Sequence, residues 1–167
     1  MLTIRPARPG DAVAMLRVHR EAILSKAADH YRQSTLDAWA LGVTPDRVAR
    51  AERQIADPGF IVLIAEAGDE AIGYGVAVPS HRQLRALYVK PNALGRVGTA
   101  LLSELEKRAF RTAEALTCDA SLNAVEFYAA HGYTEQGRMD HVLSSGASVA
   151  CVRMIKVRPA ARIISRR

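Results

Sequence analysis

The chain has 167 residues and a formal net charge of +6, with 49% hydrophobic and 24% charged residues. This length suits one domain, and the composition excludes collagen-like, low-complexity and wholly disordered proteins. The longest aliphatic run, FIVLIA at 60–65, is far too short to span a bilayer. Two cysteines, Cys118 and Cys151, do not make a disulfide framework or a zinc site. The N-terminus carries no secretory signal, so we expect a cytoplasmic protein with both thiols reduced.

The positive charge is concentrated at the C-terminus. The last ten residues, RPAARIISRR, hold four arginines and no acid, so the net charge of residues 1–157 is only +2. We therefore expect a single domain over 1–157 and a basic tail over 158–167. Such a tail is usually a solvated end and less often an arm that contacts acidic partners. Because the body lacks a basic surface interleaved with aromatic residues, nucleic acid is the weakest of the partners considered.

The N-terminal part of the chain predicts one strand followed by three helices. The alternating segment 2–5 is typical of a strand, and Asp11 can cap the helix that follows. That first helix has an apolar face with Val13, Leu16 and Ile23. The second begins at Ser34 or Thr35 and carries Leu36, Trp39 and Leu41; the third begins at Thr44-Pro45-Asp46 and ends before Pro58.

The rest of the chain predicts six strands and two helices. The apolar run at 60–67 and the segment at 71–78 form a hairpin across a Gly-Asp-Glu turn. Further strands are predicted at 84–90, 115–120, 134–142 and 149–157, with helices from about 99 to 109 and over 123–130. This mixture of helices and strands indicates an α+β or α/β layer fold with a mixed sheet.

The segment LYVKPNALGRVGTALL at 87–102 combines a strand end, a glycine-containing loop and a helix start. A helix N-terminus offers unpaired N–H groups and the positive end of the helix dipole. Glycines let an anion approach such a backbone closely, and Arg96 adds charge. The segment is therefore either a pyrophosphate site or a plain strand-to-helix turn. It is neither a P-loop nor a dinucleotide-binding G-x-G-x-x-G.

A second informative segment is LNAVEFYAAHGY at 122–133. On a helix, Asn123 and Phe127 share one face and Tyr128 lies beside them. A tyrosine in this position is either a packed aromatic with a solvated hydroxyl or an acid positioned over a cofactor.

Together the two segments resemble the GNAT superfamily of acyl-CoA N-acyltransferases. The more specific motif is S-L-N-A-V-E-F-Y-A-A-H-G-Y at 121–133, and the opening IRPARPGDA is similar to that family's first strand and helix start. The resemblance covers roughly residues 2–157. It implies an α+β fold: a mixed, mostly antiparallel seven-stranded sheet, flanked by helices on both faces and splayed between the fourth and fifth strands. The loop LGRVGTA departs from the family by being one residue shorter than the usual pattern.

The resemblance implies an N-acetyltransferase that uses acetyl-CoA as co-substrate and no metal. The acceptor would be a primary amine of a small molecule or peptide, attacking directly in a ternary complex. Tyr128 falls on the family's general-acid position, and a backbone N–H near Leu87 would hold the oxyanion. The cofactor-binding residues implied are Leu87, Tyr88, Val89, Gly95, Arg96, Val97, Gly98, Thr99, Ala100, Asn123, Phe127 and Tyr128.

The general base and the acceptor stay open. Some relatives carry a glutamate where this chain has Gln83, which cannot take a proton. The alternatives are His81, a water relay to Glu66 or to a carbonyl, and no strong base at all. Tyr31, Trp39 and His81 are the candidate acceptor-side residues. The resemblance also allows a homodimer and places the strand of Cys118 beside that of Cys151. Two other functions stay in play: a CoA-binding regulatory module with weak catalysis, and nucleic-acid binding through the arginine tail.

Overall fold

The computed structural model describes residues 1–93 and 96–160. Seven strands and five α-helices lie in this part of the chain. The strands are β1 (Leu2–Pro6), β2 (Ile61–Ala67), β3 (Glu70–Val78), β4 (Gln83–Val89), β5 (Ala115–Ser121), β6 (Thr134–Val142) and β7 (Ser148–Val157). The helices are α1 (Ala12–Lys26), α2 (Gln33–Trp39), α3 (Pro45–Ala56), α4 (Val97–Ala109) and α5 (Val125–Ala130), with short 3₁₀ turns at Pro79–His81 and Leu122–Ala124.

All seven strands form one sheet in the order β1-β2-β3-β4-β5-β7-β6. The β4–β5 pair is parallel and the other neighbouring pairs are antiparallel. The parallel pair meets only at Gln83 and Thr117, so the two strands separate beyond that point. The predicted fold, a mostly antiparallel seven-stranded sheet that splays between its fourth and fifth strands, is confirmed.

Helices cover both faces of the sheet, as predicted. On one face, α1 buries Met15 and Val18 against Ile64 and Val76 of the sheet. On the other face, α4 packs so closely that a Cβ added to Gly75 of β3 would lie 2.4 Å from a Leu105 methyl carbon. The bare backbone of β3 therefore fixes the position of α4, and with it the N-terminus of α4 at the mouth of the splay.

The first helices differ locally from the prediction. Asp11 occupies the N-cap position of α1, but its side chain makes no capping hydrogen bond and instead accepts from Arg5 at 2.7 and 3.0 Å. A charge-assisted pair of this kind is stronger than a neutral cap. The buried face of α1 is also rotated from the predicted one: Ile23 is buried, but Val13 and Leu16 are only partly so.

The second and third helices show one difference and one agreement. Helix α2 begins at Gln33 with Arg32 as its N-cap residue, earlier than the predicted Ser34 or Thr35. The N-cap of α3 is Thr44, whose hydroxyl accepts from the Arg47 N–H at 3.4 Å, as predicted.

The C-terminal strands bring the cysteine-containing segments together. β5 and β7 are neighbours, and Ser121 faces Cys151 in their register. Both thiols are free, as predicted, and burial raises the pKa of Cys118 to about 12. β7 ends at Val157, the last residue before the expected tail at 158–167. Residues 161–167 of the expected tail lie outside the described part of the chain.

Candidate functional site

A β-bulge in β4 lies at the start of the splay. Ala77 of β3 faces Leu84, but the next residue, Val76, faces Ala86, so Arg85 has no partner in the register. A bulge inserts one residue into one strand and re-aims the side chains and backbone groups beyond it. Along β4, the residues whose backbone N–H and C=O groups face β5 alternate, and the bulge at Arg85 switches this alternation to the other set of residues.

Beyond the bulge, β4 presents unpaired backbone groups to the cleft. The N–H of Lys90 donates to the carbonyl of Ile72 on β3 at 2.8 Å. Bonded and non-bonded residue pairs alternate along an antiparallel ladder. The N–H and C=O groups of Leu87 and Val89 therefore point away from β3, toward the side from which β5 has separated.

The splay opens into a cavity of about 410 Å³, which we call the cleft cavity. Leu87, Tyr88 and Val89 form the β4 wall of this cavity. The cations Lys26 and Arg96 also line it, and no aspartate or glutamate of the described residues does. The cleft cavity therefore favours an anionic ligand.

The N-terminus of α4 forms a second wall, with Arg96, Gly98 and Thr99 lining the cavity. The first turn of this helix contains no acidic residue, and the N-cap residue Arg96 makes no side-chain cap. The unpaired N–H groups and the dipole of this 13-residue helix therefore remain available to an anion.

The other residues predicted around this loop lie elsewhere. Val97, the first residue of α4, buries its side chain in the core with 1% exposure, so only its backbone can serve a ligand. Ala100 does not line the cavity. Gly95 lies outside the described residues.

The third wall comes from the 3₁₀ turn and α5, with Asn123, Phe127 and Tyr128. The Asn123 Oδ1 atom is buried and has no hydrogen-bond partner among the described residues. A buried acceptor left unpaired costs about 1–3 kcal/mol. This atom is therefore suited to accept a hydrogen bond from a ligand in the cleft cavity.

Tyr128 lies at the inner end of this wall and is 7% exposed. Burial raises its pKa well above the ordinary value, and the nearby Cys118 and Tyr88 add to the effect. A phenol with a raised pKa keeps its proton throughout the neutral range. The Tyr128 hydroxyl is therefore protonated at physiological pH.

His131 joins two walls of the cleft cavity. Its Nδ1 lies 2.7 Å from the carbonyl oxygen of Phe127, and its Nε2 lies 3.1 Å from the hydroxyl of Thr99. The imidazole thus links the end of α5 to the first turn of α4. The sequence analysis assigned no role in the site to His131, because its partner Thr99 is 32 positions away in the chain.

A second cavity, of about 350 Å³, lies against α1 and α3 and shares Tyr88 and Trp39 with the cleft cavity. We call it the arginine cavity, because Arg47, Arg50 and Arg85 line it. The two cavities meet at Tyr88 and Trp39, so ligands in them would approach each other across β4.

His19 lines the arginine cavity, and sequence reasoning did not identify it. Its ring lies 4.6 Å from the Tyr88 ring, and its Nδ1 is buried without a partner in the described part of the chain. Burial, helped by the charge of Arg47, lowers the pKa of His19 to about 4. The imidazole is therefore neutral at physiological pH. A single histidine on an amphipathic helix gives no sequence signal for this environment.

Trp39 is the one candidate acceptor-side residue that lines the cavities. The Tyr31 hydroxyl donates to the carbonyl of Ala150 at 2.6 Å and accepts from the N–H of Leu122 at 2.8 Å. Tyr31 lines neither cavity, and its ring packs against Trp39 with centroids 5.5 Å apart. It thus ties the segment before α2 to the far side of the splay.

The base candidates lie away from both cavities. His81 is exposed in the turn before β4 and lines neither one. The carboxylate of Glu66 accepts from Arg5 at 3.0 Å. Gln83 lies at the single contact with β5. Among residues 1–93 and 96–160, no group of three His, Cys, Asp or Glu side chains is arranged to hold a metal, and no helix is long and apolar enough to cross a membrane.

Comparison with known proteins identifies the family. The model of the acetyltransferase (GNAT) domain matches residues 27–147. A GCN5-related N-acetyltransferase from Rhodopseudomonas palustris is 34% identical, with 93% of this chain and 94% of that chain covered and a TM-score of 0.78. No curated protein matched.

Two further solved structures share the fold at lower identity. PaiA N-acetyltransferase from Thermoplasma acidophilum, solved with coenzyme A, is 20% identical, with 94% and 99% of the two chains covered and a TM-score of 0.69. YncA from Salmonella typhimurium, solved with its cofactor acetyl-CoA, is 23% identical, with 96% of each chain covered and a TM-score of 0.68. The family match and the fold together show that this chain belongs to the GNAT acetyltransferase family.

Proposed function

We propose that the protein transfers an acetyl group from acetyl-CoA to a primary amine, by direct attack within a ternary complex. The observation that carries this proposal is the meeting of the two cavities at Tyr88 and Trp39. A cation-lined cavity on one side suits the cofactor, and the other offers the amine a separate approach. The neighbours solved with coenzyme A or acetyl-CoA support the choice of cofactor.

The residues that line the cleft cavity fit acetyl-CoA. The first amides of α4, with Arg96 and Lys26, would hold the pyrophosphate. The unpaired Asn123 Oδ1 would accept from an amide N–H of the pantetheine arm. The cleft-facing backbone of Leu87 and Val89 would pair with the same arm in the manner of an added strand.

The chemistry follows from what the site can donate. Acetyl-CoA supplies an activated thioester, and attack on it places negative charge first on the carbonyl oxygen and then on sulfur. The N–H of Leu87 faces the cleft and would donate to the oxygen. Tyr128 keeps its proton at neutral pH and would donate it to the sulfur as the carbon–sulfur bond breaks. The nitrogen loses one proton as the amide forms, and a proton from solvent would restore the Tyr128 hydroxyl, so that the products are the amide and free thiol.

Proton transfer from Tyr128 depends on the surroundings of the sulfur as well. A phenol with a raised pKa is a poor acid toward an ordinary thiolate, whose pKa is ~8.5. However, burial next to Tyr128 raises the pKa of the Cys118 thiol to about 12. Burial in the same region would also raise the pKa of a leaving thiol, which reduces the difference between the pKa values of the two groups.

The acceptor would lose its proton without a carboxylate base. No aspartate or glutamate of the described residues lines the arginine cavity. Nearby positive charges lower the pKa of an ammonium group, which increases the neutral fraction able to attack. The unpaired Nδ1 of the neutral His19 would accept a hydrogen bond from the amine.

The test is turnover of acetyl-CoA with a panel of primary amines, read as release of free thiol. We expect thiol release that depends on the amine and saturates with both substrates, with mass spectrometry showing one acetyl group added to the amine. Binding of acetyl-CoA without transfer to any amine would contradict the proposal and favour the regulatory module.

A further inference from the structure

The arginine cavity has an unusual charge for a cavity expected to admit an amine. Arg47 and Arg50 project from one face of α3, and Arg85 comes from β4 on the opposite side. No carboxylate lines this cavity within residues 1–93 and 96–160. Three guanidinium groups would repel a simple ammonium ion, so an amine that carries a negative charge of its own would bind here more tightly than one that does not.

None of the three guanidinium groups forms a salt bridge with another described residue. Arg47 is oriented by its Nη1, which donates to the carbonyl oxygens of Leu41 and Gly42, both at 2.5 Å. An adjoining cavity of about 540 Å³ shares the three arginines and includes one carboxylate, Asp57. Positive charge therefore predominates among the side chains that line these two adjoining cavities.

Arg85 reaches the arginine cavity because of the β4 bulge. In a regular strand it would point away from its neighbour Ala86, but both residues line this cavity. The guanidinium carbon of Arg85 also lies 5.4 Å from the centre of the Phe60 ring, which lines the adjoining cavity, so the charge of Arg85 lies where these two cavities border each other. The same bulge thus turns the backbone of Leu87 toward the cofactor and the side chain of Arg85 toward the acceptor.

We propose that the acceptor is a small primary amine that carries an anionic group, a carboxylate or a phosphate, held by Arg50 and Arg85 beside Arg47. This inference rests on the proposed acetyl transfer. Guanidinium groups bind both anions through paired N–H donors. With the anion in this position, the amine of a small molecule lies toward Tyr88 and Trp39, where the arginine cavity meets the cleft cavity.

The experiment compares amines that differ only in the anionic group. One arm uses primary-amine L-amino acids against their carboxamides, and the other uses O-phosphoethanolamine against ethanolamine and glucosamine 6-phosphate against glucosamine. Thiol release gives kcat/KM for each compound at saturating acetyl-CoA. For at least one pair, we expect kcat/KM of the amine with the anionic group to exceed that of the amine without it by tenfold or more. The arm in which this occurs identifies the anion as a carboxylate or a phosphate.

Two variants connect that preference to the arginine cavity. Arg50→Gln and Arg85→Gln change exposed side chains and should each raise KM for the preferred anionic amine about tenfold, while Tm and the acetyl-CoA Kd stay the same. KM for the partner that lacks the anion should not rise, because each variant removes a positive charge that repels it. Arg17→Gln, on the exposed face of α1 and outside the cavities, makes the same charge change and should have no effect.

The outcomes separate this inference from the function on which it rests. Equal kcat/KM for amines with and without the anionic group would overturn the inference and leave the proposed acetyl transfer unaffected. A preference that survives in both cavity variants would overturn it as well. Failure to acetylate any amine of either kind would contradict the proposed function itself.

Discussion

Replacing Tyr128 with Phe removes one oxygen atom from the inner wall of the cleft cavity and keeps the ring. The Tyr128 hydroxyl forms no hydrogen bond with residues 1–93 or 96–160, so its removal breaks no such bond in the described part of the chain. The ring contacts, including the edge contacts with Phe127 and Tyr133, are retained. We therefore expect the free energy of unfolding to change by no more than about 1 kcal/mol.

The catalytic effect of Tyr128→Phe should be much larger. If Tyr128 donates the proton to the leaving sulfur, kcat should fall by about 10²–10³, or roughly 3–4 kcal/mol in the barrier. The acetyl-CoA Kd should stay close to that of the wild type, because the pyrophosphate and the pantetheine arm, which would make most of the contacts, lie against α4 and β4 in the proposed complex. The Phe variant therefore separates catalysis from binding and from stability.

Three measurements decide the role of Tyr128: kcat by thiol release, Kd by calorimetry and Tm by thermal unfolding. The pH profile adds a fourth, because the raised pKa of Tyr128 puts any loss of its proton above pH 10. The wild-type rate should therefore show no decline from this group between pH 7 and 10. Full activity of the Phe variant would refute the reasoning, and an equal fall in Tm and kcat would indicate a structural role.

Three further predictions concern other parts of the molecule. Gly75→Ala should lower the free energy of unfolding by about 1–3 kcal/mol, because the new Cβ would collide with the buried Leu105 side chain. Urea unfolding measures this loss, and Gly42→Ala is the control, because its Cβ would lie 3.8 Å from the nearest neighbouring atom. Burial lowers the pKa of His19 from 6.5 to about 4, so the unfolded chain binds more protons than the folded chain between these pH values. The free energy of unfolding should therefore fall by roughly 3 kcal/mol as the pH drops from 6.5 to 4. His19→Gln should remove this part of the acid-induced fall in Tm. Asn123→Ala should weaken acetyl-CoA binding about tenfold in calorimetry without lowering Tm, since it removes a buried oxygen that has no partner in the described residues; a lower Tm with unchanged affinity would point to a structural role.

The sequence predicted the elements well where its signals are local. Periodicity and turn residues identified every strand, and the Thr44 cap located the start of α3. The two motif-bearing segments also lie together in the structure, on facing walls of the cleft cavity. Their resemblance to a family supplied two features that no local pattern contains: the splay between the fourth and fifth strands, and the pairing of the strands that carry Cys118 and Cys151.

What the sequence could not predict depends on long-range packing. The bulge at Arg85 comes from the register of β4 against β3, and nothing in LRALYVK marks it. The low pKa of His19 arises from burial beneath other elements, and the arginine cavity forms only when α3 and β4 face each other. The charge of a cavity lined by separate elements is invisible until the fold is known.

The central claim, that acetyl-CoA binds in the cleft cavity at the N-terminus of α4, is tested most directly at Gly98. A Cβ at this position would lie 3.5 Å from the Phe127 ring and 3.8 Å from Val89, which are ordinary contacts, so the fold should accept a side chain here. In Gly98→Asp, a carboxylate would face the pyrophosphate, whereas Gly98→Ala adds the bulk without the charge. In calorimetric titrations with acetyl-CoA, we expect the Asp variant to lose affinity more than 100-fold, at least about 2.7 kcal/mol, and the Ala variant to lose much less. Wild-type affinity in a folded Gly98→Asp protein would contradict the claim.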